Sequence, residues 1–168
     1  MIFLTVGSQL PFDRLVAAMD AWAAANPGAE IFGQTCELGP ENHVPRHFDH
    51  APRLDAAAFE AALERARLVV AHAGTGSLID ALTRARPILV MPRRAALGET
   101  RTDHQLATAA RFAARPGVHV AEDAAALGPA LDRLAGPGAG EAPPALGTEA
   151  DPRLVAAIRA VLFDGDPA

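Results

Sequence analysis

Residues 68–80 read LVVAHAGTGSLID: an apolar run, a histidine, two glycines around a threonine, then a serine and an acid. Residue types in this order suit the holding of an anion. Glycines at 74 and 76 let a phosphate come close to backbone N–H groups, and a helix starting there adds the positive end of its dipole. Thr75 and Ser77 offer hydroxyls, and His72 at the end of the apolar run can donate to an anionic oxygen. Asp80 lies three residues past Ser77, about one helical turn on, where a carboxylate can accept from a ribose diol. A diphosphate beside a ribose is a nucleotide. The competing reading is local: a tight turn with Ser77 as N-cap and Asp80 completing a capping box. Ile79 stands where the dinucleotide fingerprint has its third glycine, and the chain contains no lysine for a Walker loop. Neither NAD nor ATP is therefore the natural ligand.

A second constellation is PRRAALGETRTDHQ, residues 92–105. Asp103 is a good N-cap for a following helix, yet Asp103, His104 and Gln105 also bring carboxylate, imidazole and amide to one helix start, a set that can hold sugar hydroxyls. Arg93 and Arg94 suit a phosphate, a partner surface or plain surface charge. A third, HVPRHFDH, sets His43, His47 and His50 beside Asp49. Zinc is conceivable there, but the spacing fits no standard site, and surface histidines are the simpler reading.

Both main constellations need a scaffold that brings strand ends together. Ile2–Val6 is a β-rich run closed by Gly7-Ser8, and Phe12, Leu15, Val16, Met19, Trp22 and Ala23 recur at helical spacing. Glu30–Gln34 reads as a strand, followed by a Pro- and His-rich loop to about Pro52. Phe59, Leu63 and Ala66 mark a helix before the strand Leu68–Ala71, whose continuous apolar character predicts burial on both faces. The spacing then predicts helix 76–84, strand Ile88–Met91, helix 103–114, strand Val118–Ala121 and helix 124–134. Such alternation implies an α/β fold: a Rossmann-like parallel sheet with helices on both faces. The carboxyl ends of its strands would carry both constellations. Residues 1–135 form the expected nucleotide-binding domain, 136–150 a flexible Gly/Pro/Ala-rich linker, and 151–168 a last amphipathic helix packed on the domain.

Composition narrows the classes. The 168 residues carry a formal net charge of −5, which leaves no electrostatic footprint for nucleic acid. Cys36 is the single cysteine, so no internal disulfide forms and a reducing cytoplasm is expected. The apolar start MIFLTV stops at Gly7, far short of a membrane span.

Several ordered motifs together resemble the family 28 glycosyltransferase C-terminal domain: TVGSQLPFDRLV, the Gly33-Gln34 pair, HAGTGSLIDAL, RPILVMPRR and GETRTDHQLA. The resemblance covers Met1 to about Leu134 and implies the C-terminal, donor-binding half of a GT-B enzyme. It implies that His72, Gly74, Thr75, Gly76 and Ser77 face the donor diphosphate, that Asp80 holds the ribose, and that Asp103, His104 and Gln105 hold the donor sugar; Gly7 and Ser8 join the donor set. Asp80 departs from the family's usual glutamate. No metal and no cofactor beyond a UDP-sugar donor are implied. One half of a GT-B enzyme needs the other, so the resemblance implies a membrane-associated acceptor-binding partner that carries the general base and recruits this chain to the cytoplasmic face of the membrane. The acceptor would be a polyprenyl-diphosphate-linked saccharide, in exopolysaccharide synthesis of the split two-chain kind. Alternatives are a non-catalytic nucleotide-sugar-binding or scaffold subunit, and a nucleotide-sugar epimerase.

Overall fold

The computed structural model describes residues 1–136 and 142–147. Among the described residues, six strands, β1 (Ile2–Thr5), β2 (Ile31–Gln34), β3 (Asp49–Ala51), β4 (Leu68–His72), β5 (Ile88–Met91) and β6 (Val118–Val120), are accompanied by five helices, one after every strand but β2. The helices are α1 (Asp13–Ala25), α2 (Ala56–Arg65), α3 (Thr75–Thr83), α4 (His104–Phe112) and α5 (Ala124–Ala135). Every strand pair is parallel and the order is β3-β2-β1-β4-β5-β6. The order in which strands are added to the sheet thus reverses between β1 and β4, whose parallel register sets Ile2 against Leu68 and Thr5 against Ala71. The expected Rossmann-like sheet is what the chain forms.

Burial explains the arrangement. All four residues of β1 and of β5 are buried, as are Leu68–Ala71 of β4, because helices cover both faces. On one face Leu4, Val70 and Leu89 meet Leu15, Met19 and Trp22 of α1 and Leu127 and Leu131 of α5. On the other, Phe3, Val69 and Val90 meet Leu63 of α2, Leu78 and Leu82 of α3 and Ala109 of α4. Phe3 also takes the Phe59 ring edge-on, with centroids 5.4 Å apart.

The loop expected through Pro52 contains β3, which pairs with β2 through Phe32–Asp49, Gly33–His50 and Gln34–Ala51. Its three residues, Asp-His-Ala, lie at the sheet edge and carry no apolar alternation, so backbone pairing alone makes the strand. Gly33 leaves room for the Phe48 ring, which a Cβ there would approach to 2.8 Å. The terminal helix expected over 151–168 and most of the linker 136–150 lie outside the described residues. In the described part, Pro143 is buried against Gly117, and the Leu146 amide donates to the Leu82 carbonyl at 2.8 Å.

Candidate functional site

At the carboxyl edge, between the ends of β1 and β4, opens a cleft of about 580 Å³. This is the switch point where open α/β sheets accept ligands. Of the residues singled out in the sequence, Gly7, Ser8, His72, Gly74, Gly76, Ser77, Asp80, His104 and Gln105 line it; Thr75 and Asp103 do not.

The corner after β4 is built around one ring. His72 lies between two glycines: a Cβ on Gly7 would approach its Cε1 to 3.0 Å, and a Cβ on Gly74 would fall on its Nε2. Gly7 also holds a left-handed φ of +85°, which favours glycine on its own account. Burial, and then the nearby positive charge of Arg93, push the His72 imidazole down to about 4, while the Thr5 backbone acts the other way. The ring is therefore neutral at pH 7 and has a neutral N–H to offer. Its buried Nδ1 has no hydrogen-bond partner among the described residues.

Helix α3 starts at Thr75 with Gly74 as its N-cap, and no side chain caps it. Ser77 is thus the third helical residue, and the local capping-box reading of Ser77 and Asp80 fails. The first turn holds no acid, so its free N–H groups keep the positive end of the helix open. Gly76 has no neighbour within 4 Å of where a Cβ would stand. Asp80, half-buried one turn on, lines the same cleft.

The second constellation divides. Asp103 caps α4 by position but not by hydrogen bond; its Oδ1 accepts from the Ala95 amide at 2.8 Å. Gln105 is buried, with Oε1 accepting from the Arg93 amide at 3.1 Å. Both side chains expected to hold a donor sugar hold the 92–95 loop. His104 is exposed and its Nδ1 lies 2.9 Å from Thr102 Oγ1.

Arg93 and Arg94 are neither free for a phosphate nor plain surface charge. Arg93 is 4% exposed. Its guanidinium donates to the carbonyls of Val6, Leu10, Pro11 and Glu99 and lies 4.5 Å over the Phe12 ring. Arg94 donates through its backbone to Glu99 Oε2 and through its side chain to the Glu122 carbonyl. Gln34 has a task that its place in a motif does not reveal. Its Nε2 donates to the Gly7 carbonyl at 3.0 Å and its Oε1 accepts from the Leu54 amide, so it ties the glycine turn to the far cleft wall. One signal was available: in a parallel sheet, a polar residue at or just past the end of a buried strand is delivered to the ligand edge, and both Gln34 and Arg93 sit there.

The histidine-rich loop converges on a residue the sequence had placed only on a helix. Buried Asp20 of α1 accepts from the amides of Arg46 and His47, from His43 Nε2 at 2.9 Å and from His47 Nδ1 at 3.1 Å. Burial raises this carboxyl, but the four bonds outweigh it and hold it below its ordinary value. Among the described residues, no group of three or more His, Cys, Asp or Glu is placed to hold a metal ion. Nor is any helix there long and apolar enough to cross a membrane.

Solved structures share this fold. The glycotransferase of kitacinnamycin is 20% identical with a TM-score of 0.60, over 82% of this chain and 35% of its own. A putative UDP-N-acetylglucosamine 2-epimerase from Listeria monocytogenes is 19% identical with a TM-score of 0.61, over 99% of this chain and 46% of its own. A UDP-glucose: anthocyanidin 3-O-glucosyltransferase in complex with UDP is 14% identical with a TM-score of 0.59, over 83% of this chain and 32% of its own. The chain thus spans less than half the length of each, and at these identities the likeness is one of fold. No curated protein matches it. The family model described as the glycosyltransferase family 28 C-terminal domain matches residues 1–132, and the chain belongs to that family.

Proposed function

We propose that this chain is the donor-binding part of a glycosyltransferase and takes a UDP-sugar at the cleft between β1 and β4. One observation carries the reading: an uncapped, acid-free helix start meets a neutral histidine inside a cleft large enough for a nucleotide. The diphosphate lies against the amides of Thr75, Gly76 and Ser77, with His72 donating one N–H to it. Asp80 accepts from the ribose.

In transfer, an acceptor hydroxyl attacks the anomeric carbon of the sugar while the bond to the diphosphate breaks. The leaving group gains negative charge as the bond breaks, and fixed amides and the helix dipole stabilise that charge without metal. Ser8 and His104 line the same cleft and are placed to meet the sugar. Asp103 and Gln105 act through the loop they hold. The general base and the acceptor, a polyprenyl-diphosphate-linked saccharide, belong to a membrane-associated partner in polysaccharide synthesis, which brings this chain to the cytoplasmic face of the membrane.

The competing reading is a binding or scaffold subunit that regulates a transferase without forming part of its reaction site. Two measurements separate them. Calorimetry on the isolated chain should show UDP binding that is lost in Gly76→Val; equal affinity in the variant overturns the site. Transfer reconstituted with the partner should fall with His72→Ala in this chain, and transfer indifferent to that change favours the scaffold.

A further inference from the structure

Two loops line the cleft: residues 6–12, which follow β1, and residues 92–100, which follow β5. They are remote in sequence, yet one buried cation spans them. Arg93 Nη1 donates to Pro11 O at 2.7 Å and to Glu99 O at 3.3 Å, and Nη2 donates to Val6 O at 3.0 Å and Leu10 O at 2.6 Å. Phe12 supplies the face on which the guanidinium lies. A second pair closes the same seam from outside. Arg14 of α1 meets Glu99 in two parallel bonds of 2.7 and 2.8 Å and donates to the Pro92 carbonyl. Three of the four Arg93 acceptors belong to the first loop, whose Gly7 abuts His72.

A buried charge with no carboxylate of its own is costly unless hydrogen bonds satisfy it. Here the satisfaction comes from backbone carbonyls, which means that the charge fixes backbone. A planar fork with five donors can do this across two loops; a single ammonium on a flexible stem cannot. We propose that Arg93 is a positioning residue, whose guanidinium sets the β1 and β5 loops at the separation that a nucleoside diphosphate requires between them and the start of α3. It acts on the ligand through Gly7 and Ser8 and through the floor beneath His72. This rests on the nucleotide reading above and goes beyond it by naming what holds the cleft to size.

The test compares Arg93→Lys, which keeps the charge and the fold, with Arg93→Met, in UDP calorimetry and amide hydrogen exchange on the full chain. In both variants UDP should bind about tenfold more weakly or worse. In Arg93→Lys, exchange should quicken at residues 7–10 and 94–100 while α5 stays as protected as in the wild type. A merely structural role would quicken exchange across the domain and leave affinity unchanged in folded protein. UDP binding by Arg93→Lys within about twofold of wild type, or loops that exchange as slowly as before, overturns the proposal. Failure of the wild type to bind UDP strikes the nucleotide reading instead, because loop exchange still reports whether Arg93 joins the two loops.

Discussion

The five helices of the described residues start at the same edge of the sheet, yet they start in two ways. Helices α2 and α5 follow the edge strands β3 and β6, and each is capped by its own aspartate: Asp55 accepts from the Ala58 amide and Asp123 from the Ala126 amide. Helices α1, α3 and α4 follow the central strands β1, β4 and β5, and none has a side-chain cap. At the flanks the orphan amides are satisfied by a built-in anion. At the centre of the sheet no side chain takes them, and at α3 the glycines and the missing acid leave them open to the cleft. Where a protein declines an ordinary cap worth about 1 kcal/mol, the open amides point to function.

The comparison is sharpest in pH. The centre carries a pH signature of its own, in an imidazole. Unfolded, His72 takes its proton near 6.5; folded, only at about 4. Between those values the unfolded chain holds more protons, so stability rises with pH. The contribution is complete above 6.5 and is lost as pH falls towards 4, amounting to at most about 3 kcal/mol. Half-buried His119 is lowered too and adds in the same direction. Asp20, held below 3.8, keeps its contribution until lower pH, where protonation removes it. Urea denaturation at pH 7 and pH 4.5 should show wild type losing markedly more stability than His72→Asn, which cannot titrate. Equal losses would mean that the ring is not held neutral.

Gly74 tests whether the centre tolerates the side chain that any flank position accepts. Gly74→Ala places a methyl on the His72 ring, whose opposite side is occupied by Gly7. Overpacking of this kind costs roughly 1 to 3 kcal/mol. The ring either strains in place or swings into the cleft, and both should reduce UDP binding. Denaturation and calorimetry on the variant check this; wild-type values in both would show that the slot between the glycines is loose.

Much of this centre was legible in the sequence, for a physical reason. Strands β1, β4 and β5 are buried on both faces and read as continuous apolar runs, and the glycine corner is a local motif whose parts lie within nine residues. What stayed hidden depends on partners distant in the chain. Strand β3 exists only because β2 lies beside it. Arg93 looks like surface charge until the fold places the 6–12 loop over it, and the histidines of 43–50 look like surface histidines until Asp20 of α1 accepts from two of them. The sequence offers the oxygens of Asp103 and Gln105 to a donor sugar, whereas the loop before them supplies the Ala95 and Arg93 amides that bond to them.

The smallest effects should separate the two kinds of helix start by sign. Asp123→Ala removes a cap at the flank and should cost about 1 kcal/mol, within a range of roughly 0.5 to 2, with no change in UDP affinity, since Asp123 lies outside the cleft lining. Gly76→Ala adds a methyl in the first turn of α3, where nothing lies within 4 Å. Alanine is the better helix former, so the variant should gain up to about 0.5 to 1 kcal/mol of stability. The same methyl stands where a phosphate would approach the backbone, so UDP should bind more weakly to the more stable protein. A flank variant that loses stability and keeps binding, beside a centre variant that gains stability and loses it, would show that the open start of α3 is maintained for a ligand against the interest of the fold. Gly76→Ala that is stabilised and still binds UDP as wild type does would leave α3 merely uncapped, and the diphosphate would have to lie elsewhere in the cleft.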